Sequence, residues 1–141
     1  MSEVRKRRFV VTRFDPDRDA EPRTQAYEVP CQPDWKVLDA LNYIKDELDP
    51  TLSHRWSCHM AVCGSCGMNV DGKPTLTCKQ AVEGYGDQVD VEPLSNFPVI
   101  RDLVVELEGF LEKLQHVKPW IVRAKERAVE EGPMRQSPEE L

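Results

Sequence analysis

The sequence predicts an α+β fold, a mixed β-sheet with one helix laid across it, and three observations predict it. Two apolar runs are separated by a loop rich in Asp and Pro, one stretch carries apolar residues at helical spacing, and an Asp-Gly pair stands between two further short runs.

In chain order, Arg8 to Phe14 and Gln25 to Val29 read as a first pair of strands around the polar loop DPDRDAEPR. Val37, Leu38, Leu41, Ile44 and Leu48 then fall on one helical stripe, and Asp49-Pro50 ends it, because the residue before proline avoids the α region. GMNV and PTLTC flank Asp71-Gly72, a hairpin signal, since a type I′ turn needs positive φ at both central positions. Gln88 to Glu92 alternates, with Val89 and Val91 on one face. Strand, strand, helix, strand, strand, strand is compatible with a β-grasp domain, expected over residues 1–95. Beyond it, Leu103, Leu107, Phe110, Leu111 and Leu114 form a helical stripe, so residues 96–141 are expected to be a helical extension, with a charged segment broken at Gly132-Pro133.

A chain of 141 residues accommodates one domain with an appendage. A net charge of −6, without a basic stripe interleaved with aromatics, argues against nucleic acid as a partner. The run Arg5-Lys6-Arg7-Arg8 reads as the protected start of an edge strand. No apolar stretch approaches the ~18 residues of a membrane span, and Phe9-Val10-Val11 is too short for a signal peptide. A soluble, cytoplasmic chain is therefore expected. Disulfides rarely persist in that compartment, so clustered cysteines point to metal or redox work.

The cluster is SCHMAVCGSCG, residues 57–67. Cys58, Cys63 and Cys66 have the C-x4-C-x2-C spacing of plant-type [2Fe–2S] loops, with a distant fourth cysteine at 78. If Asp71-Gly72 is the turn, Cys66 faces Thr77, Cys78 faces Ser65, and Pro74 stands opposite Asn69 in a pair that needs no N–H from it. The fourth thiol is thereby carried back to the other three. A four-thiolate [2Fe–2S] core carries a charge of about −2, so its burial requires donors. Gly64 and Gly67 are expected to take positive φ and let successive backbone amides turn inward toward sulfur, with Met60, Ala61 and Val62 as an apolar cover and Arg55 and Lys79 as nearby compensating charge. Structural zinc and a disulfide are the alternative uses of such cysteines; a Rieske centre would need a second histidine motif. His59 reads as a solvated loop residue, Cys31 as a buried lone thiol, and Trp35, Trp56 and Trp120 as packing residues.

The stretch LSHRWSCHMAVCGSCGM, residues 52–68, with Cys78 beyond it and NFPVIRDLVVELEGF and VKPW further on, closely resembles the iron–sulfur subunit of fumarate reductase and succinate dehydrogenase. The resemblance runs along essentially the whole chain. It implies a ferredoxin-like domain holding one [2Fe–2S] cluster on Cys58, Cys63, Cys66 and Cys78, relaying single electrons to or from the FAD of a flavoprotein subunit. It also implies a second domain with [4Fe–4S] and [3Fe–4S] clusters, whose cysteines this chain lacks, docked on membrane-anchor subunits at the cytoplasmic face of the inner membrane. Two positions vary against such relatives: His59 stands where many have arginine, and Cys66 where some have aspartate. Ser137-Pro138-Glu139-Glu140-Leu141 reads as a helix start with no helix after it, so the chain is expected to be the N-terminal part of a longer subunit. A stand-alone ferredoxin is the other reading. No acid–base or nucleophile constellation is evident, which assigns substrate chemistry to another subunit.

Overall fold

The computed structural model describes residues 4–122 with Gly132, Ser137 and Pro138. The chain divides into two compact units, the first ending at Leu107 and the second beginning at Glu108.

In the first unit β1 (Arg5–Arg13), β2 (Arg23–Cys31), β3 (Gly67–Val70), β4 (Lys73–Leu76) and β5 (Gln88–Glu92) form one sheet in the order β2-β1-β5-β3-β4. β1 runs antiparallel to β2 and parallel to β5, while β3 is antiparallel to β4 and β5, so the sheet is mixed as expected. Strand alternation puts Phe9 and Val11 of β1, Val29 of β2 and Val89 and Val91 of β5 into one core. α1 (Val37–Tyr43) lays Val37, Ala40 and Leu41 onto it, followed by Ile44. The helix continues to Leu48 as a single π turn, Ile44–Leu48, with the Asp49 amide donating to the Ile44 carbonyl at 2.6 Å. The wider turn rotates the next side chains, so Leu48, expected on the apolar stripe, is exposed.

Two expectations are corrected. β1 is an interior strand: its pairing with β5 begins only at Arg8, which leaves Arg5–Arg7 without ladder partners on that side. The cations serve the turn that leads into β5. Arg7 donates to the carbonyls of Tyr85, at 2.5 Å, and Gly86, and Arg5 pairs with Asp87. The stripe that starts at Leu103 is not helical at its beginning. β6 (Val99–Arg101) and β7 (Val104–Val105) form a small hairpin turned by Asp102 at φ +48°, and Leu103 and Val105 are buried. Asp102 adopts this turn because its carboxylate and amide are both bonded to the end of β1, at the Phe14 amide (3.0 Å) and carbonyl (2.9 Å).

In the second unit α2 (Glu108–Val117) presents Phe110, Leu111 and Leu114 as exposed apolar side chains. Among the described residues no helix is long and apolar enough to cross a membrane. The charged segment after Val122 and the helix-start signal over 137–141 lie outside the described residues, Gly132, Ser137 and Pro138 apart.

One buried ionic knot ties the first unit together. Arg13 donates to Asp102 at 2.9 Å, Asp49 at 2.6 Å, the Tyr27 hydroxyl at 2.6 Å and Thr51 at 2.8 Å. Burial opposes the Asp49 charge, but the Thr51, Tyr27 and Arg13 hydrogen bonds win and hold its carboxyl far below the usual range.

Candidate metal centre

β3 and β4 close on Asp71-Gly72, at φ +48° and +74°, with Val70 opposite Lys73 and Asn69 opposite Pro74 as the turn requires. One step beyond the last pair, the Thr77 amide and hydroxyl both donate to the Cys66 carbonyl, at 3.2 and 3.0 Å. There the ladder stops. The Lys79 amide turns back to the Leu76 carbonyl at 2.9 Å, so Cys78 leaves the strand before it can face Ser65, and its thiol meets that of Cys66. The start of α1 secures the same segment, Leu38 N–H donating to the Thr77 carbonyl and Val37 N–H to that of Gln80. Cys66, Cys78 and Leu38 form a small buried cluster with Ala61 packed against it.

The loop from Cys58 to Cys66 is built by alternation of backbone hand. His59 and Ala61 stand at φ +58° and +60°, a conformation costing a non-glycine residue about 1–2 kcal/mol. It turns successive amides inward: Met60, Val62 and Cys63 N–H each lie 3.4 Å from Cys58 Sγ, Ser65 N–H lies 3.4 Å from Cys63 Sγ, and the Ala61 amide reaches Cys78. Of the two glycines expected at positive φ, Gly64 is left-handed, at φ +75°, and Gly67 is not, so the other left-handed turns of the loop fall on His59 and Ala61. Gly67 instead sits at a close approach, where a Cβ would stand a tight 3.2 Å from the Gly64 carbonyl oxygen and 3.3 Å from Leu94.

The expected apolar cover is also corrected. The twist that aims the amides inward throws Met60 and Val62 outward, 71% and 78% exposed, and only Ala61 packs inside. Trp56 is also half exposed, at 47%, and Cys63 is exposed. His59 stands edge-on to Trp56 at 5.6 Å, with Nε2 3.5 Å from Asp39.

The four thiols differ in their surroundings. The Ser65 hydroxyl, the Cys58 and Ser65 amides and the Cys58 thiol together pull the Cys63 thiol down to about 6, toward the thiolate that ligates metal. Burial first, then contact with Cys66 and the charge of Cys58, push Cys78 up. The contacts join Cys58 with Cys63 and Cys66 with Cys78. Among the described residues no three His, Cys, Asp or Glu side chains converge on one ion position. Two thiol pairs, with amides directed at sulfur, fit a two-iron core, which takes two thiolates on each metal, better than a mononuclear zinc knuckle. Cys31 stands apart on β2, in the main core, its thiol pushed up by burial. Motif spacing had no signal for the left-handed His59 and Ala61 or for Asp102.

A family model described as "2Fe-2S iron-sulfur cluster binding domain" matches residues 8–112. The fumarate reductase iron–sulfur subunit of Mycobacterium tuberculosis is 54% identical over 132 residues, which is 93% of this chain and 53% of the relative. The succinate dehydrogenase iron–sulfur subunit of Paracoccus denitrificans is 42% identical over 119 residues, 82% of this chain and 45% of the relative. A chain of the Mycobacterium smegmatis Sdh1 complex in the apo form superposes with a TM-score of 0.81 at 30% identity, over 94% of this chain and 55% of that one. The chain spans about half the length of the relatives it matches. With its mixed sheet, three-thiol loop and a hairpin that returns a fourth thiol, the chain belongs to the family of 2Fe-2S iron–sulfur cluster binding domains, of the kind found in the iron–sulfur subunits of fumarate reductase and succinate dehydrogenase.

Proposed function

We propose that this chain is the flavin-proximal electron relay of a fumarate reductase or succinate dehydrogenase type complex, with Cys58, Cys63, Cys66 and Cys78 as the ligands of one [2Fe–2S] cluster. The observation that carries the reading is the joining of four thiols into two contacting pairs, with backbone amides directed at the sulfurs of Cys58 and Cys63. Bound there, the cluster supplies a one-electron redox centre. The chain's own residues do the rest: the hairpin returns Cys78, the amides of residues 60–63 and 65 support thiolate charge, and Leu38 and Ala61 shield the inner pair from water.

Trp56, Met60 and Val62 are the exposed apolar side chains on which an FAD-containing flavoprotein subunit would seat, so that electrons pass through the Cys58–Cys63 pair, of which Cys63 is exposed. Residues beyond the first unit would lead toward a further iron–sulfur domain and, through it, membrane-anchor subunits on the cytoplasmic face. Iron and acid-labile sulfide analysis with spectroscopy before and after dithionite tests the cofactor. Two irons and two sulfides per chain, lost or altered in Cys78→Ser and intact in Cys31→Ser, are expected; zinc in place of iron overturns the reading. Titration with a flavoprotein subunit then separates a complex-bound relay from a stand-alone ferredoxin, which would not bind it.

A further inference from the structure

Cys58 is reached through a segment, Leu52–Ser57, that belongs to no helix or strand. Its position is held instead by hydrogen bonds from other parts of the chain. Leu52 is fully buried and its carbonyl accepts from Lys45 Nζ at 2.7 Å. The Ser53 amide donates to Asp102 Oδ2 at 2.8 Å, and the Leu103 amide returns a bond to the Ser53 carbonyl at 3.2 Å. Arg55 Nη1 donates to the Val105 carbonyl at 3.3 Å. Three of these bonds come from the β6–β7 hairpin, more than forty positions downstream of the segment they hold.

Asp102 is the centre of this clamp. Its side chain is almost fully buried, and Oδ1 accepts from Arg13 Nε at 2.9 Å and from the Phe14 amide at 3.0 Å while Oδ2 faces the Ser53 amide. Every group that meets the carboxylate is a donor. A carboxylate accepts on both oxygens and an amide on one only, so the aspartate serves β1 and the segment before Cys58 at the same time. We propose that Asp102 is a positioning residue for the cluster: through Ser53 it sets where the chain enters the ligand loop, and with it the surroundings of Cys58.

The proposal rests on the reading of the four cysteines as [2Fe–2S] ligands. Asp102→Asn is the probe. Its remaining oxygen best serves the two donors on the β1 side, which leaves an amide N–H facing the Ser53 N–H and opens the contact to the ligand loop. Tyr27→Phe is the control, since it removes a hydroxyl from the same ionic knot, the one bonded to Asp49, without touching residues 52–57. In the purified full chain carrying its iron, Asp102→Asn is expected to shift the reduction equilibrium of the cluster at least threefold, to alter its electron-spin signal and to release iron to a chelator at least threefold faster, with Tyr27→Phe like wild type in all three. An Asp102→Asn protein with wild-type potential, signal and release rate overturns the proposal, as does a Tyr27→Phe protein that moves equally.

Coupling between two sites is reciprocal, so a second measurement needs no variant. Removing iron from the unaltered chain is expected to speed hydrogen exchange at the Ser53 and Leu103 amides together while β1 stays protected. Unchanged exchange at both overturns the proposal even if Asp102→Asn fails to fold. A wild-type protein without a [2Fe–2S] spectrum would instead defeat the underlying reading.

Discussion

Thr77 grips the Cys66 carbonyl twice, through its amide at 3.2 Å and its hydroxyl at 3.0 Å, and so fixes the distance between the third cysteine and the residue preceding the fourth. Thr77 is fully buried. Thr77→Val keeps the shape and the amide bond but buries a methyl where the hydroxyl was, at an expected cost of about 1 kcal/mol. Chemical denaturation of the iron-free chain measures it, and Val should lower the midpoint without changing the slope.

His59 occupies left-handed backbone, which asparagine and glycine adopt readily and a β-branched residue does not. His59→Gly and His59→Asn should therefore leave stability within about 1 kcal/mol of wild type. His59→Val should cost about 2 kcal/mol or more and lower iron occupancy, because relaxing the strain would turn amides away from Cys58. Thermal melts and iron content of the three variants decide it; a Val variant with full iron and an unchanged melt would contradict the strained-loop account.

Asp49 and Arg13 form a salt bridge at 2.6 Å with most of both side chains out of water. Asp49→Asn should destabilise the chain by about 2–4 kcal/mol at neutral pH, since a buried guanidinium loses one of its two carboxylates. The Asp49 carboxyl is held below its ordinary 3.8, so its contribution is complete above that value and is lost only as pH falls further. Unfolding free energies at pH 7 for the wild type and the variant provide the comparison.

His54 titrates in a higher window. Burial first, then repulsion from Lys45, lower it from 6.5 to about 4, although Asp46 pulls the other way. Its Nε2 lies 2.8 Å from the Asn42 side-chain oxygen, and Nδ1 is buried without a hydrogen-bond partner. Below 6.5 the unfolded chain takes up a proton that the folded one refuses until about 4, so stability falls as pH drops through that interval, by up to about 3 kcal/mol. His54→Asn should flatten the profile of the iron-free chain between those two values.

Local chemistry decided a great deal before any packing. Period-2 and period-3.6 patterns placed β1, β2, α1 and β5, and Asp71-Gly72 determined the β3–β4 register and with it the pairing of Cys66 with Thr77, because turn geometry and strand pairing are short-range and leave little choice. The proposed four-cysteine site was readable as a candidate for the same reason, its spacing being a property of one loop and one hairpin. Tertiary structure decided the rest. β1 became an interior strand because β5 joins it in parallel from eighty residues away, and Leu103 left its helical stripe because Asp102 found Arg13, Phe14 and Ser53. Met60 and Val62 turned outward because amides, not side chains, were drawn toward sulfur. Each of these outcomes rests on a polar group finding a partner distant in sequence or a backbone held against its local preference, and no periodicity in the chain records either.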